Sequence, residues 1–158
     1  MIWQPMVPDD LPIVVSISDA VHGAFTEDAA VMAERRALYP AGCRVWRADG
    51  QILGYMMAHP WHGEKPPALD TLLGALPASP DTLCLHDVAL LPAARGSGAG
   101  RLAVAWAVEL ARAIRVPHVT LMAVNGAEGY WARQGFEPLP SPHERAYGAG
   151  SRLMRRLV

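Results

Sequence analysis

The chain has 158 residues, 51% of them hydrophobic and 18% charged, with a net charge of −1. That balance suits one globular domain over residues 1–158, and dispersed basic residues outside Arg152, Arg155 and Arg156 speak against a nucleic-acid or anionic-membrane surface. No apolar run approaches the roughly 20 residues that span a bilayer.

Residues 2–6 read as a short strand. Pro8, Asp9 and Asp10 then open a helix, because Asp caps and Pro is tolerated in a first turn, and Leu11, Val14, Val15 and Ser18 follow at helical spacing. A second helix is expected over 27–38, stopped by the Tyr39-Pro40-Ala41-Gly42 segment. Residues 43–47 alternate as a strand, Asp49-Gly50 marks a hairpin turn, and 52–59 return. The proline-rich stretch 59–80 is expected to be irregular, with a short helix around 68–76. Residues 83–91 form an apolar strand suited to the middle of a sheet. A glycine-rich turn leads into a long helix over 98–115, where Leu102, Trp106, Leu110 and Ile114 repeat on one face. A buried strand over 118–124 and a short helix over 127–134 follow, the helix closed by Gly135. Residues 136–139 and 151–157 read as a last strand pair, joined by a loop holding Pro140, Pro142, Gly148 and Gly150. The order β-α-α-β-β-β-α-β-α-β-β predicts an α/β fold with a mixed sheet and helices on both faces.

Cys43 and Cys84 fit no metal or redox spacing and are expected to be reduced thiols. Residues 1–5 lack a basic segment followed by an apolar one, so no signal peptide is read there, and a cytoplasmic location is expected. His59-Pro60-Trp61-His62 places a proline between its histidines and brings no matching carboxylate pair, so no metal is expected.

The turn Arg95-Gly96-Ser97-Gly98-Ala99-Gly100 carries the chemistry. Amide N–H groups at a helix start have no intrahelical partner and sit at the positive end of the macrodipole, so they bind anions. Glycines let the backbone approach a phosphate, and Arg95 and Arg101 suit a diphosphate. A P-loop is excluded by the missing lysine, and a dinucleotide fingerprint by Arg101 in the third glycine position. Taken alone, the segment reads either as a phosphate cradle or as a plain strand-to-helix turn.

The neighbouring residues decide between these. The strand from Leu85 to Leu91 followed by Arg95, Gly96, Gly98 and Gly100 resembles the cofactor motif of the GNAT superfamily of N-acetyltransferases. Downstream, Asn125, Tyr130, Trp131, Gly135 and Phe136 resemble that family's second signature, and the element order matches its fold over the full chain. The resemblance implies a mostly antiparallel mixed sheet and transfer of an acetyl group from acetyl-CoA to a primary amine of a small molecule, amino acid derivative or peptide N-terminus. It implies that the pantetheine arm lies in a gap beside the motif strand, held by the backbone of Leu90 and Leu91. Backbone N–H groups from Arg95 through Gly96, Ser97, Gly98, Ala99 and Gly100 to Arg101 hold the pyrophosphate, and Asn125 contacts the arm. Trp131 packs against the pantetheine or the core. No covalent nucleophile is required, because a thioester is already activated.

For the base, the resemblance points to His86, which matches a histidine of some relatives on this strand; Cys84 stands where they carry another. Strict alternation places Cys84, His86, Val88 and Leu90 on one face and Asp87 on the other, and the resemblance implies a bulge on this strand that disturbs the parity near Val88. For the acid, many relatives have a tyrosine where this chain has Trp131, an indole that cannot ionise in the useful range. Tyr130, turned by about 100° along the helix, is the candidate. Residues 22–28 and 59–64 are expected at the acceptor, and a homodimer is consistent with the family. The alternative is a non-catalytic acyl-CoA-binding or sensing module.

Overall fold

The computed structural model describes residues 2–142, 148 and 150–158; the loop expected before the last strand runs in part outside them. The strands are β1 (Ile2–Pro5), β2 (Cys43–Ala48), β3 (Gln51–Trp61), β4 (Thr82–Leu90), β5 (His118–Ala123), β6 (Glu137–Pro138) and β7 (Arg152–Leu157). The helices are α1 (Leu11–His22), α2 (Ala29–Leu38), α3 (Ala99–Ala113) and α4 (Glu128–Arg133). The sheet order is β1-β2-β3-β4-β5-β7-β6, antiparallel everywhere except between β4 and β5. This is the mixed, mostly antiparallel sheet expected from the sequence.

Two apolar layers flank the sheet. On one face Val14 and Ile17 of α1 and Met32 of α2 pack on Val45, Tyr55, Met57 and Ala89. On the other, Ala99, Ala103, Val104, Ala107 and Ala111 of α3 pack on Trp46, Met56, Leu83, Leu85 and Leu121. The run of alanines lets α3 lie close to the strands, and each large side chain buried there contributes roughly 1.5–3 kcal/mol. Trp3 fixes the start of α3, its Nε1–H donating to the Ala99 carbonyl at 2.9 Å.

The short helix expected at 68–76 does not form. Asp70 and Gly74 adopt positive φ (53° and 77°), which no α-helix accommodates. The backbone N–H groups that a helix would use internally are taken by carboxylates instead. Asp70 N–H donates to Glu27 Oε2 at 2.9 Å, and those of Leu73 and Gly74 donate to Glu34 at 2.6 and 3.0 Å. This strap holds Glu27, just ahead of α2, against the sheet.

Two irregularities shape the centre. First, β4 pairs with β5 only at Leu83–Val119 and Cys84–Thr120, after which the strands part and leave a V-shaped gap. Second, the β3–β4 register steps from Ala58–Leu85 to Met57–Asp87, so His86 is an extra residue in a β-bulge. Strict alternation therefore fails at His86: Asp87 joins it on the α1–α2 face, where it contacts His22 and Tyr55, while Val88 and Leu90 pack on the α3 core.

Gly42 shows how tightly the sheet edge is closed. A Cβ there would lie 1.9 Å from the Ala58 carbonyl oxygen, whereas one on Gly63 would meet its neighbours at 3.5 Å. Gly42→Ala is expected to lose about 1–3 kcal/mol of stability. In thermal denaturation the midpoint falls by roughly 2–4 °C per kcal/mol, and Gly63→Ala leaves it nearly unchanged.

Candidate active site

The turn after β4 builds an anion cradle. Ala94 is buried beneath it, and the Ser97 hydroxyl ties the loop by donating to the Ala94 carbonyl at 2.5 Å and accepting from Ala99 N–H at 3.3 Å. Gly96 and Gly98 have φ of 76° and 87° with open space where a Cβ would go, so their backbone shape, not crowding, requires glycine. Gly100 differs: its Cβ position lies 1.8 Å from the Tyr130 hydroxyl. Arg95 and Arg101 stand exposed on either side, and the first turn of α3 holds no acidic side chain. Leu90, Arg95, Gly96, Gly98, Ala99, Gly100, Arg101, Tyr130 and Trp131 line one open cleft of about 470 Å³. Leu91 does not line it, and its N–H donates to the Leu53 carbonyl at 2.8 Å.

A second cavity of about 300 Å³ fills the gap between β4 and β5. It shares Val21, Val88, Arg95, Ala127 and Trp131 with the first, so the two form one continuous trough. Its walls carry His22, Glu27, His86, Asp87 and Asn125. Asn125 adopts φ +54°, a left-handed shape that asparagine tolerates, and it precedes α4 without capping it. Trp131 stands at the junction, edge-on to Tyr130 (5.0 Å) and Phe136 (5.9 Å). Tyr130 lies along the cradle part of the trough and His86 along the other, so the structure does not place the two expected catalytic groups side by side.

The bulge arms the second cavity with two histidine–carboxylate pairs. His86 Nε2–H donates to Glu27 Oε1 at 2.6 Å, with side chains 4% and 6% exposed. Burial alone disfavours a charged imidazole, but the Glu27 carboxylate outweighs it and holds His86 above its ordinary value. Burial likewise works against charge on Glu27, and the imidazolium and the Asp70 N–H pull it below the usual carboxylate range. The second pair joins His22 Nε2–H to Asp87 Oδ1 at 2.7 Å, and the Tyr55 hydroxyl donates to Asp87 Oδ2 at 2.5 Å. Burial opposes charge on His22, and the Asp87 hydrogen bond and charge reverse that and raise it. Burial, then the Asp87 carboxylate, lifts Tyr55 well above its ordinary range.

Sequence reasoning set Asp87 on the wrong face and did not find Tyr55. The resemblance implies a bulge on this strand; the register step across β3 places it at His86 and so fixes the side of Asp87 and its contact with Tyr55. Of the segments expected at the acceptor, 22–28 supplies His22, Phe25 and Glu27 to the cavity. From 59–64, Trp61 and His62 line a smaller neighbouring pocket.

Residues 15–136 match a family profile described as the acetyltransferase (GNAT) family. Among solved structures, a GNAT-like decarboxylase, GphF, in complex with isobutyryl-CoA is 16% identical with a TM-score of 0.79, over 99% of this chain and 99% of that one. Naa20 of Chaetomium thermophilum with a bisubstrate analogue is 17% identical, TM-score 0.74, over 100% and 87%. A ribosomal-protein-alanine N-acetyltransferase from Brucella melitensis is 23% identical, TM-score 0.67, over 100% of both. At such identities the likeness is one of fold. No curated protein matches the chain.

The Glu27–His86 pair sets a pH signature. His86, raised when folded, stabilises the fold fully below its ordinary 6.5 and loses that contribution as pH rises through its elevated value. Glu27, lowered when folded, stabilises fully above its ordinary 4.5 and loses that as pH falls through its depressed value. Both contributions are complete between pH 4.5 and 6.5. Glu27→Gln removes the largest influence that opposes burial, so the His86 imidazole resonances in an NMR titration are expected to move to a lower pKa.

Proposed function

The chain belongs to the GNAT acetyltransferase family, and from that premise we propose that it moves an acetyl group from acetyl-CoA to a primary amine by direct attack on the thioester. The observation that carries this reading is the continuous trough, with a glycine-built anion cradle at one end and two histidine–carboxylate pairs at the other. Backbone N–H groups at the start of α3 take the coenzyme pyrophosphate, flanked by Arg95 and Arg101. The pantetheine runs along Val88 and Leu90 past Trp131, with Asn125 beside it. The thioester then sits near Val88, at the junction of the two cavities.

The acceptor enters beside Glu27 and His86. An ammonium that docks on Glu27 neutralises the charge that keeps His86 protonated. Burial then favours the neutral ring: His86 releases its own proton to bulk water, takes the one from the ammonium and frees the amine lone pair for attack on the carbonyl carbon. The tetrahedral intermediate collapses with the coenzyme thiolate as leaving group. Tyr130, whose pKa burial raises, keeps its hydroxyl proton at neutral pH and supplies it to the sulfur. The acceptor itself is a small amine, an amino acid derivative or a peptide N-terminus.

Thiol release from acetyl-CoA across an amine panel tests this. Turnover with a primary amine is expected, reduced about 100-fold in kcat/KM by His86→Gln and about 100-fold in kcat by Tyr130→Phe. His86→Gln does not touch the cradle, so its coenzyme A affinity by calorimetry stays near wild type, whereas Gly98→Ala weakens it. Tight coenzyme binding without release on any amine replaces this reading with a non-catalytic acyl-CoA-binding module.

A further inference from the structure

Three side chains of metal-ligand type meet in the core beside the acceptor cavity. One ring nitrogen each of His59 and His86 and the Cys84 Sγ all lie within 4.8 Å of one another. His59 stands directly opposite Cys84 in the β3–β4 register, and Cys84 and His86 share a face of β4. The sequence pairs His59 with His62, which leads to the expectation of no metal; the fold gives His59 different neighbours.

His59 is 1% exposed. Its Nδ1–H donates to the Pro60 carbonyl at 3.0 Å, so Nε2 carries the lone pair, and that atom has no hydrogen-bond partner among the described residues. Buried lone pairs without a donor are uncommon and costly. His86 is held on both sides: its Nε2–H is given to Glu27 at 2.6 Å, and the ring also hydrogen-bonds the Cys84 side chain. Histidines that bind metals typically donate the far ring N–H to a carboxylate or a carbonyl, which fixes tautomer and orientation. Both acceptors are present here, one on each ring.

We propose that His59 Nε2, Cys84 Sγ and His86 Nδ1 form a buried site for a divalent cation of the zinc class. Two imidazoles and a thiolate suit a borderline-soft cation and not magnesium or calcium. On binding, the Cys84 thiol releases its proton and the His86 ring releases the one on Nδ1 while keeping Nε2–H for Glu27. The divalent charge is then balanced by one thiolate and the Glu27 carboxylate, so the buried cluster is neutral. A cavity of about 10 Å³, lined by His62, Cys84, His86 and Thr120, adjoins the cluster and has room for a single water as a fourth ligand. The bound cation occupies the ring nitrogen that His86 needs as a base, so the cation-loaded form is expected not to transfer acetyl groups.

Cobalt(II), a spectroscopic stand-in for zinc, tests the site on the chelator-treated full chain without coenzyme or amine, so the result stands apart from that of the transferase assay. One equivalent is expected to give the intense visible bands of tetrahedral cobalt and a near-ultraviolet thiolate-to-cobalt band, both displaced by zinc. Cys84→Ser abolishes the thiolate band, His59→Phe weakens binding at least tenfold, and Cys43→Ala changes neither. Zinc also raises the melting temperature of the wild-type protein, a readout that needs no variant to fold. Absence of both the bands and the shift in the wild type overturns the proposal, as does a thiolate band that follows Cys43 instead of Cys84.

Discussion

The bulge at His86 is the constraint on which the site depends. A regular strand would send His86 and Asp87 to opposite faces. The extra residue turns both towards α1 and the segment ahead of α2, so Glu27 meets His86 and His22 meets Asp87. The same stretch of β4 parts from β5 beyond Cys84, and the gap this opens is the cavity those pairs line. A bulge strengthens local twist and leaves backbone unpaired. The sheet tolerates this because β3 continues to pair with β4 on both sides of the step.

Two charged pairs set in a mostly apolar trough are not explained by stability. Removing a carboxylate and an imidazolium from water costs several kcal/mol per ion, which their attraction offsets only with close geometry and further hydrogen bonds. Those hydrogen bonds are present: the Asp70 N–H on Glu27 and the Tyr55 hydroxyl on Asp87. The strap over residues 69–74, extended because the carboxylates of Glu27 and Glu34 capture its N–H groups, keeps Glu27 in place. An element with no regular secondary structure thereby positions a group at the centre of the cleft.

The cradle end of the trough follows another logic. Gly96 and Gly98 are required by positive φ, and Gly100 by the Tyr130 hydroxyl over its α-carbon. The demands on Gly96 and Gly98 are local, that on Gly100 comes from a distant residue, and the helix that follows supplies the field at its N-terminus whatever its tertiary surroundings. Trp131 joins the two ends by touching both.

That division accounts for what could be read from the chain alone. The strands, the amphipathic α3, the Asp49–Gly50 hairpin, Gly135 beyond α4 and the glycine cradle were legible because periodicity, turn chemistry and helix polarity act over short stretches. So was the identity of the fold, through two motifs in the right order. The side on which Asp87 falls, the hydroxyl of Tyr55 behind it, the loss of the helix at 68–76 and the convergence of His59 with Cys84 and His86 were not legible. Each depends on the register between strands or on a contact between residues tens of positions apart. Alternation within one strand is a property of its own backbone; a bulge is settled only against the neighbouring strand, and here that neighbour decided which side chains face the cleft.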